Sequence, residues 1–132
     1  RVKEIGWLPV RKVDSPETGK WLNGLPPQFE VFHWHGETFS LPPGATHLLR
    51  SRYCRNQGFV VGKSLALQCH IEMTPDMVRT WAHAGANEIA CAWPAPSVRR
   101  RAQMLASLTL RAARLNRIAD VLYTRWIAGI RR

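Results

Sequence analysis

The sequence has no apolar run approaching the roughly eighteen residues needed to cross a bilayer, and its first residues lack the charged, apolar, small-residue layout of a signal peptide. A cytoplasmic protein with no membrane association is therefore expected. Cysteine is scarce and unpatterned: Cys54, Cys69 and Cys91 form no CxxC pair. That spacing argues against both a disulfide framework and a zinc knuckle, and for reduced thiols. Acidic residues are few, 9 against 19 Lys and Arg, which leaves a formal charge of +10. The sequence also lacks an initiating methionine, beginning at Arg1, and the expectation is that an upstream portion has been left out. Internal repeats and low-complexity stretches are absent.

What is present is one domain's worth of chain: 132 residues, 45% hydrophobic and 21% charged, a balance typical of globular proteins and not of disordered tails. The positive charge is concentrated at the end, where nine arginines lie between Arg99 and Arg132 against the single acid Asp120. Such a face could attract nucleic acid or an acidic subunit. Its arginines are spread around the helix without aromatic residues interleaved for base stacking, so a solvated helix face is expected and nucleic acid is not. The six tryptophans read as core and pocket residues.

The first part, 1–72, reads as short strands separated by turn signals. Ile5 to Val10 is a β-prone stretch closed by Asp14-Ser15-Pro16 and Thr18-Gly19. Phe29 to Trp34 alternates, with Phe29, Val31 and His33 on one face and Glu30, Phe32 and Trp34 on the other. Further strands are expected at Thr46 to Ser51, Gly58 to Val61 and Ser64 to Ile71. Thr74-Pro75-Asp76 then supplies an N-cap, a proline at the first helical position and an acid in the first turn of a helix over about 75–84. After the Trp93-Pro94-Ala95-Pro96 loop, Ser97 caps a long helix over about 98–128, with Leu108, Leu115, Ala119, Leu122 and Trp126 as its apolar stripe.

The chemistry lies at the end of an apolar strand, Leu67-Gln68-Cys69-His70-Ile71-Glu72. A two-residue spacing on a strand puts His70 and Glu72 on one face, where the carboxylate can fix the imidazole tautomer and stabilise the imidazolium formed during proton transfer. Cys69 should face away from His70. His33 and His35, also two apart, could share a face and a metal, but no third ligand is evident, so neither a metal nor another cofactor is expected.

Five segments in order resemble the class I glutamine amidotransferases, above all their stand-alone, GMP-synthase-like members: Glu4-Ile5-Gly6-Trp7, Trp34-His35-Gly36-Glu37-Thr38-Phe39, Leu41-Pro42-Pro43-Gly44-Ala45, Asn56-Gln57-Gly58-Phe59 and Gln68-Cys69-His70-Ile71-Glu72. The closing Asn116 to Ile127 is similar to the family's last helix. The resemblance implies an α/β, flavodoxin-like domain that hydrolyses the amide of glutamine through a cysteinyl thioester and releases ammonia. His70 would be its general base and Glu72 the group that orients it. His35, Gly36 and Glu37 would form a wall beside the bound glutamine. The family's nucleophile sits on a glycine-flanked strand-to-helix elbow, and none of the three cysteines has that setting. The chain thus reads as a single partial domain, 1–132, with the N-terminal portion and its elbow missing and with no glutaminase activity of its own. The nearest alternatives are a γ-glutamyl peptidase of the same fold and a non-catalytic binding or regulatory remnant. A synthetase partner or self-association would suit an incomplete sheet.

Overall fold

The computed structural model describes residues 2–130. Strand β1 (Glu4–Lys12) is followed by a short helix α1 (Pro16–Trp21), strands β2 (Gln28–His35), β3 (Thr46–Arg50), β4 (Gly58–Val61) and β5 (Ser64–Leu67), and then helices α2 (Pro75–Ala84), α3 (Ala86–Ala92), α4 (Arg101–Leu105) and α5 (Leu108–Ile130). The five strands form one sheet in the order β2-β1-β3-β4-β5, every neighbouring pair antiparallel.

The pairing curls this sheet. β1 matches β2 along its length, from Glu4 opposite His35 to Arg11 opposite Gln28, but meets β3 only at Arg11 and Lys12. The chain leaving β5 then turns back to the free edge of β2, where the Phe32 and His70 backbones exchange hydrogen bonds of 3.2 and 2.8 Å. The chain thereby returns to the strand on which the sheet began, through a single bridge on its outer edge. On the other edge of β1, Ile5 lies parallel to Val98, through Ile5 N–H to the Ser97 carbonyl at 3.0 Å and Arg99 N–H to the Ile5 carbonyl at 2.8 Å.

Two periodicities divide the side chains. Phe32 packs edge-on against Trp7 at 5.1 Å and against Trp81 of α2 at 6.2 Å, so one face of β1 and β2 is apolar and covered by helix. Trp7 also donates its indole N–H to the Met104 carbonyl at 3.0 Å, which holds α4 on the sheet. The buried stripe of α5 runs through Leu108, Ala112, Leu115, Ile118, Ala119 and Leu122.

Three expectations need correction. Asp14-Ser15-Pro16 opens a helix and not merely a turn: Ser15 Oγ accepts from Thr18 N–H at 3.1 Å and Pro16 takes the first helical position. Ser97 does not cap the last helix, because residues 97–99 are committed to pairing with β1 and Ser97 Oγ donates to the Lys3 carbonyl. The helix starts at Arg101 and breaks at Ala106 and Ser107, where Ser107 has a φ of 53°. This break lets Met104 sit under Trp7 while Leu108 begins a second buried stripe. Arg111 caps the exposed carbonyls of Gln103 and Ala106 at 2.9 and 3.3 Å. Finally, Trp93 and Trp126 are exposed rather than core residues.

Candidate active site

His70 sits where the chain returns from β5 to β2, and both of its backbone groups are spent on Phe32. That pair of hydrogen bonds fixes its Cα and aims the side chain toward α2, where the imidazole meets the Trp81 ring at 5.0 Å and almost at right angles. Trp81 is held in turn by Phe32 and by Trp34, the latter at 6.1 Å. The Trp34 indole N–H reaches Glu88 at 2.9 Å.

Glu72 lies beside His70, as the two-residue spacing requires. Its Oε1 is 2.7 Å from His70 Nδ1 and its Oε2 accepts the Ile71 N–H at 3.0 Å. A carboxylate held by a backbone donor can only accept at its other oxygen, so Nδ1 carries the ring proton. The lone pair therefore stands on Nε2, at the far side of a ring that is about a quarter exposed. This arrangement supplies what a general base needs from its own residues: a fixed tautomer, a lone pair on Nε2, and a negative charge ready to stabilise the imidazolium.

The side chain of His35 goes elsewhere. His33 and His35 alternate with Phe32 and Trp34 along β2 and so take its opposite face, and Glu4 of β1, paired with His35, meets them there. Glu4 Oε2 is 3.0 Å from His35 Nε2 and 3.9 Å from His33 Nδ1. Ser51 donates to Glu4 Oε1 and Gln57 to Oε2, each at 2.6 Å. Gly36 lies against the stem of Lys3, and the Glu37 carbonyl accepts from His35 Nδ1 at 2.9 Å. The structure thus joins His70 to Glu72, while the His35 imidazole is tied into a buried polar cluster with Glu4. Glu4 was missed as a member of this cluster because register, not sequence, puts it opposite His35.

Burial and charge shape this cluster. Desolvation pushes the His33 imidazole down to about 4, against the opposing pull of the Glu4 carboxylate. Burial alone would raise the Glu4 pKa, but without a metal the hydrogen bond that a protonated His35 ring donates, the one from Ser51 and the fields of both imidazoles outweigh it and lower it. The Cys69 thiol is buried 4.0 Å from the Gln57 carbonyl, and burial pushes it up to about 12. It stays protonated at neutral pH and is a poor nucleophile beside the dyad.

Known structures share this architecture. A glutamine amidotransferase from Methylobacillus flagellatus is similar over 97% of this chain and 53% of its own, with 42% identity and a TM-score of 0.90. A glutamine amidotransferase from Thermotoga maritima is similar over 96% of this chain and 51% of its own, at 32% identity and a TM-score of 0.80. The chain therefore has a mixed α/β fold, with a curled antiparallel sheet, that corresponds to part of the glutamine amidotransferase structures. It spans about half the length of each structure that it matches. No protein-family model and no curated protein matches the sequence. Among the described residues no helix is long and apolar enough to cross a membrane.

Proposed function

We propose that this chain carries the His–Glu portion of a Cys-His-Glu triad in a class I, GMP-synthase-like glutamine amidotransferase, and that the nucleophilic cysteine comes from a segment outside these 132 residues. The observation that carries the reading is the 2.7 Å contact between Glu72 Oε1 and His70 Nδ1 on a backbone clamped to β2. The similarity to glutamine amidotransferase structures supports it.

In this mechanism His70 Nε2 takes the thiol proton as sulfur attacks the glutamine amide carbon. The tetrahedral intermediate collapses with cleavage of the C–N bond, and the imidazolium returns the proton to the departing ammonia. Water, deprotonated by the same nitrogen, then attacks the thioester, releasing glutamate and restoring the thiol. Glu72 stabilises the imidazolium in both halves. The Trp81 edge confines the ring to the orientation that Glu72 selects.

His35, Gly36 and Glu37 serve as a wall of the glutamine pocket through the backbone of the turn after β2, since the His35 ring is engaged by Glu4. The ammonia passes to a synthetase domain or partner. The test is glutamate release from glutamine by this chain alone and by the chain extended upstream through a glycine-flanked cysteine. The chain alone is expected to be silent and the extended protein active. An extended protein that releases no glutamate would overturn the proposal.

A further inference from the structure

We infer that Glu4, His33 and His35 form a binding site for one divalent cation of the zinc class inside the curl of the sheet. The three side chains each offer one ligand atom, and these atoms lie within 4.8 Å of one another. All three side chains are nearly or wholly buried, with His35 the most accessible at 6%.

The hydrogen bonds leave the correct nitrogens available. His33 Nε2 donates to the Leu8 carbonyl at 3.2 Å and His35 Nδ1 to the Glu37 carbonyl at 2.9 Å. Each ring therefore turns its other nitrogen, with its lone pair, toward Glu4. Metal-binding histidines are usually oriented this way, one nitrogen on the ion and the other N–H on a carbonyl or carboxylate. The His35 contact of 3.0 Å would otherwise set two lone pairs against each other. His33 Nδ1 is buried without any hydrogen-bond partner, and its 3.9 Å from Glu4 Oε2 is too long for a hydrogen bond. An extra proton on His35 would resolve the first conflict and leave His33 orphaned. One cation among the three atoms resolves both.

Two imidazole nitrogens and a carboxylate oxygen suit zinc, whose bond lengths imply ligand–ligand separations of about 3.3 Å in a tetrahedral site. The observed 3.0 and 3.9 Å bracket that value. The Gln57 carboxamide provides the fourth position: its nitrogen lies 2.6 Å from Glu4 Oε2 and 3.5 Å from His35 Nε2, while its oxygen is buried without a partner. Turning the amide over brings that oxygen to the ion. A cavity of about 160 Å³ has Glu4 on its wall beside Arg52 and Arg99. The ion is structural, pinning β1 to β2 at one end of the curl, and is independent of the glutaminase reading.

The test loads the full chain with Zn²⁺, removes free ion on a desalting column and counts bound metal by mass spectrometry, then substitutes Co²⁺ to read the coordination. One metal per chain is expected, with the visible bands of four-coordinate Co²⁺ and no thiolate charge-transfer band. Glu4→Gln and His35→Gln should weaken binding by more than the roughly 10–100-fold that loss of a supporting hydrogen bond costs. Cys54→Ser and Cys91→Ser should bind normally. The inference is overturned if the unaltered chain retains no metal, if a thiolate band appears, or if Glu4→Gln and His35→Gln bind as tightly as the parent. Should those variants not fold, the Co²⁺ spectrum of the unaltered chain decides alone.

Discussion

Replacing Gly6 by alanine separates two contributions to the stability of β1. Gly6 has a φ of +100°, which an L side chain rarely adopts, and a Cβ built there would lie 2.6 Å from Arg99 Cβ and 2.9 Å from Arg99 Cγ. The conformational strain costs about 1–2 kcal/mol. The overlap adds a second cost, because Arg99 cannot retreat while its backbone is bonded to Ile5. Moving the 97–99 segment away stretches the 3.0 and 2.8 Å hydrogen bonds on either side of Ile5, each worth about 1 kcal/mol. Gly6→Ala should thus destabilise the chain by roughly 3–4 kcal/mol. Gly44 is the internal control: its φ is +78°, but nothing lies within 4 Å of a Cβ added there, so Gly44→Ala should cost only the strain, about 1–2 kcal/mol. Urea unfolding with unchanged m-values measures both. Costs that agree within roughly 0.5 kcal/mol would refute the argument that close approach of Arg99 dictates glycine at position 6.

Acid should destabilise the metal-free chain before its carboxylates protonate. Unfolded His33 takes up a proton below 6.5 while the folded residue resists until about 4, so stability is full above 6.5 and falls toward 4, by up to roughly 3 kcal/mol. Unfolding curves that are flat or improve across this window would contradict the His33 reading; Glu4, with its pKa lowered from 4.5, acts in the same direction but only below that value, as pH falls through its folded value. Arg125 donates to the carbonyls of Trp21 and Asn23 and so ties α5 to the end of α1. Arg125→Ala should cost about 1–2 kcal/mol in thermal or urea unfolding, whereas a solvated arginine would cost almost nothing. Thiol labelling of the native chain at neutral pH should modify exposed Cys91 and spare buried Cys69; rapid labelling of Cys69 would show that its burial is misjudged.

Much of the fold was legible where local chemistry agrees with the final packing. Thr74-Pro75-Asp76 starts α2 because cap, proline and acid all act within one turn, and Thr74 Oγ1 does accept from Met77 N–H at 3.2 Å. The alternation of Phe29 to Trp34 separated His33 from Phe32, and the two-residue step placed Glu72 on His70. Tertiary pairing was illegible. Val98 lies in a segment with good helical composition, yet the edge of β1 claims it. The Ala106-Ser107 break contains neither glycine nor proline and comes from the separate demands of Met104 and Leu108. Glu4 joined His33 and His35 through a strand register that spans about thirty residues of sequence, and no spacing rule reaches that far. The Arg-rich face is also less uniform than its composition suggests, since Arg111 pairs with Glu30 at 3.1 Å.

In the proposed mechanism Glu72 holds His70 as the base of a cysteine nucleophile. Its most direct measurement is kcat/KM for glutamate release by the upstream-extended protein, compared with its His70→Ala and Glu72→Gln variants. His70→Ala should lose about 10²–10⁴-fold, and Glu72→Gln should show a smaller loss that falls on kcat rather than KM. A His70→Ala protein as active as its parent would contradict the mechanism.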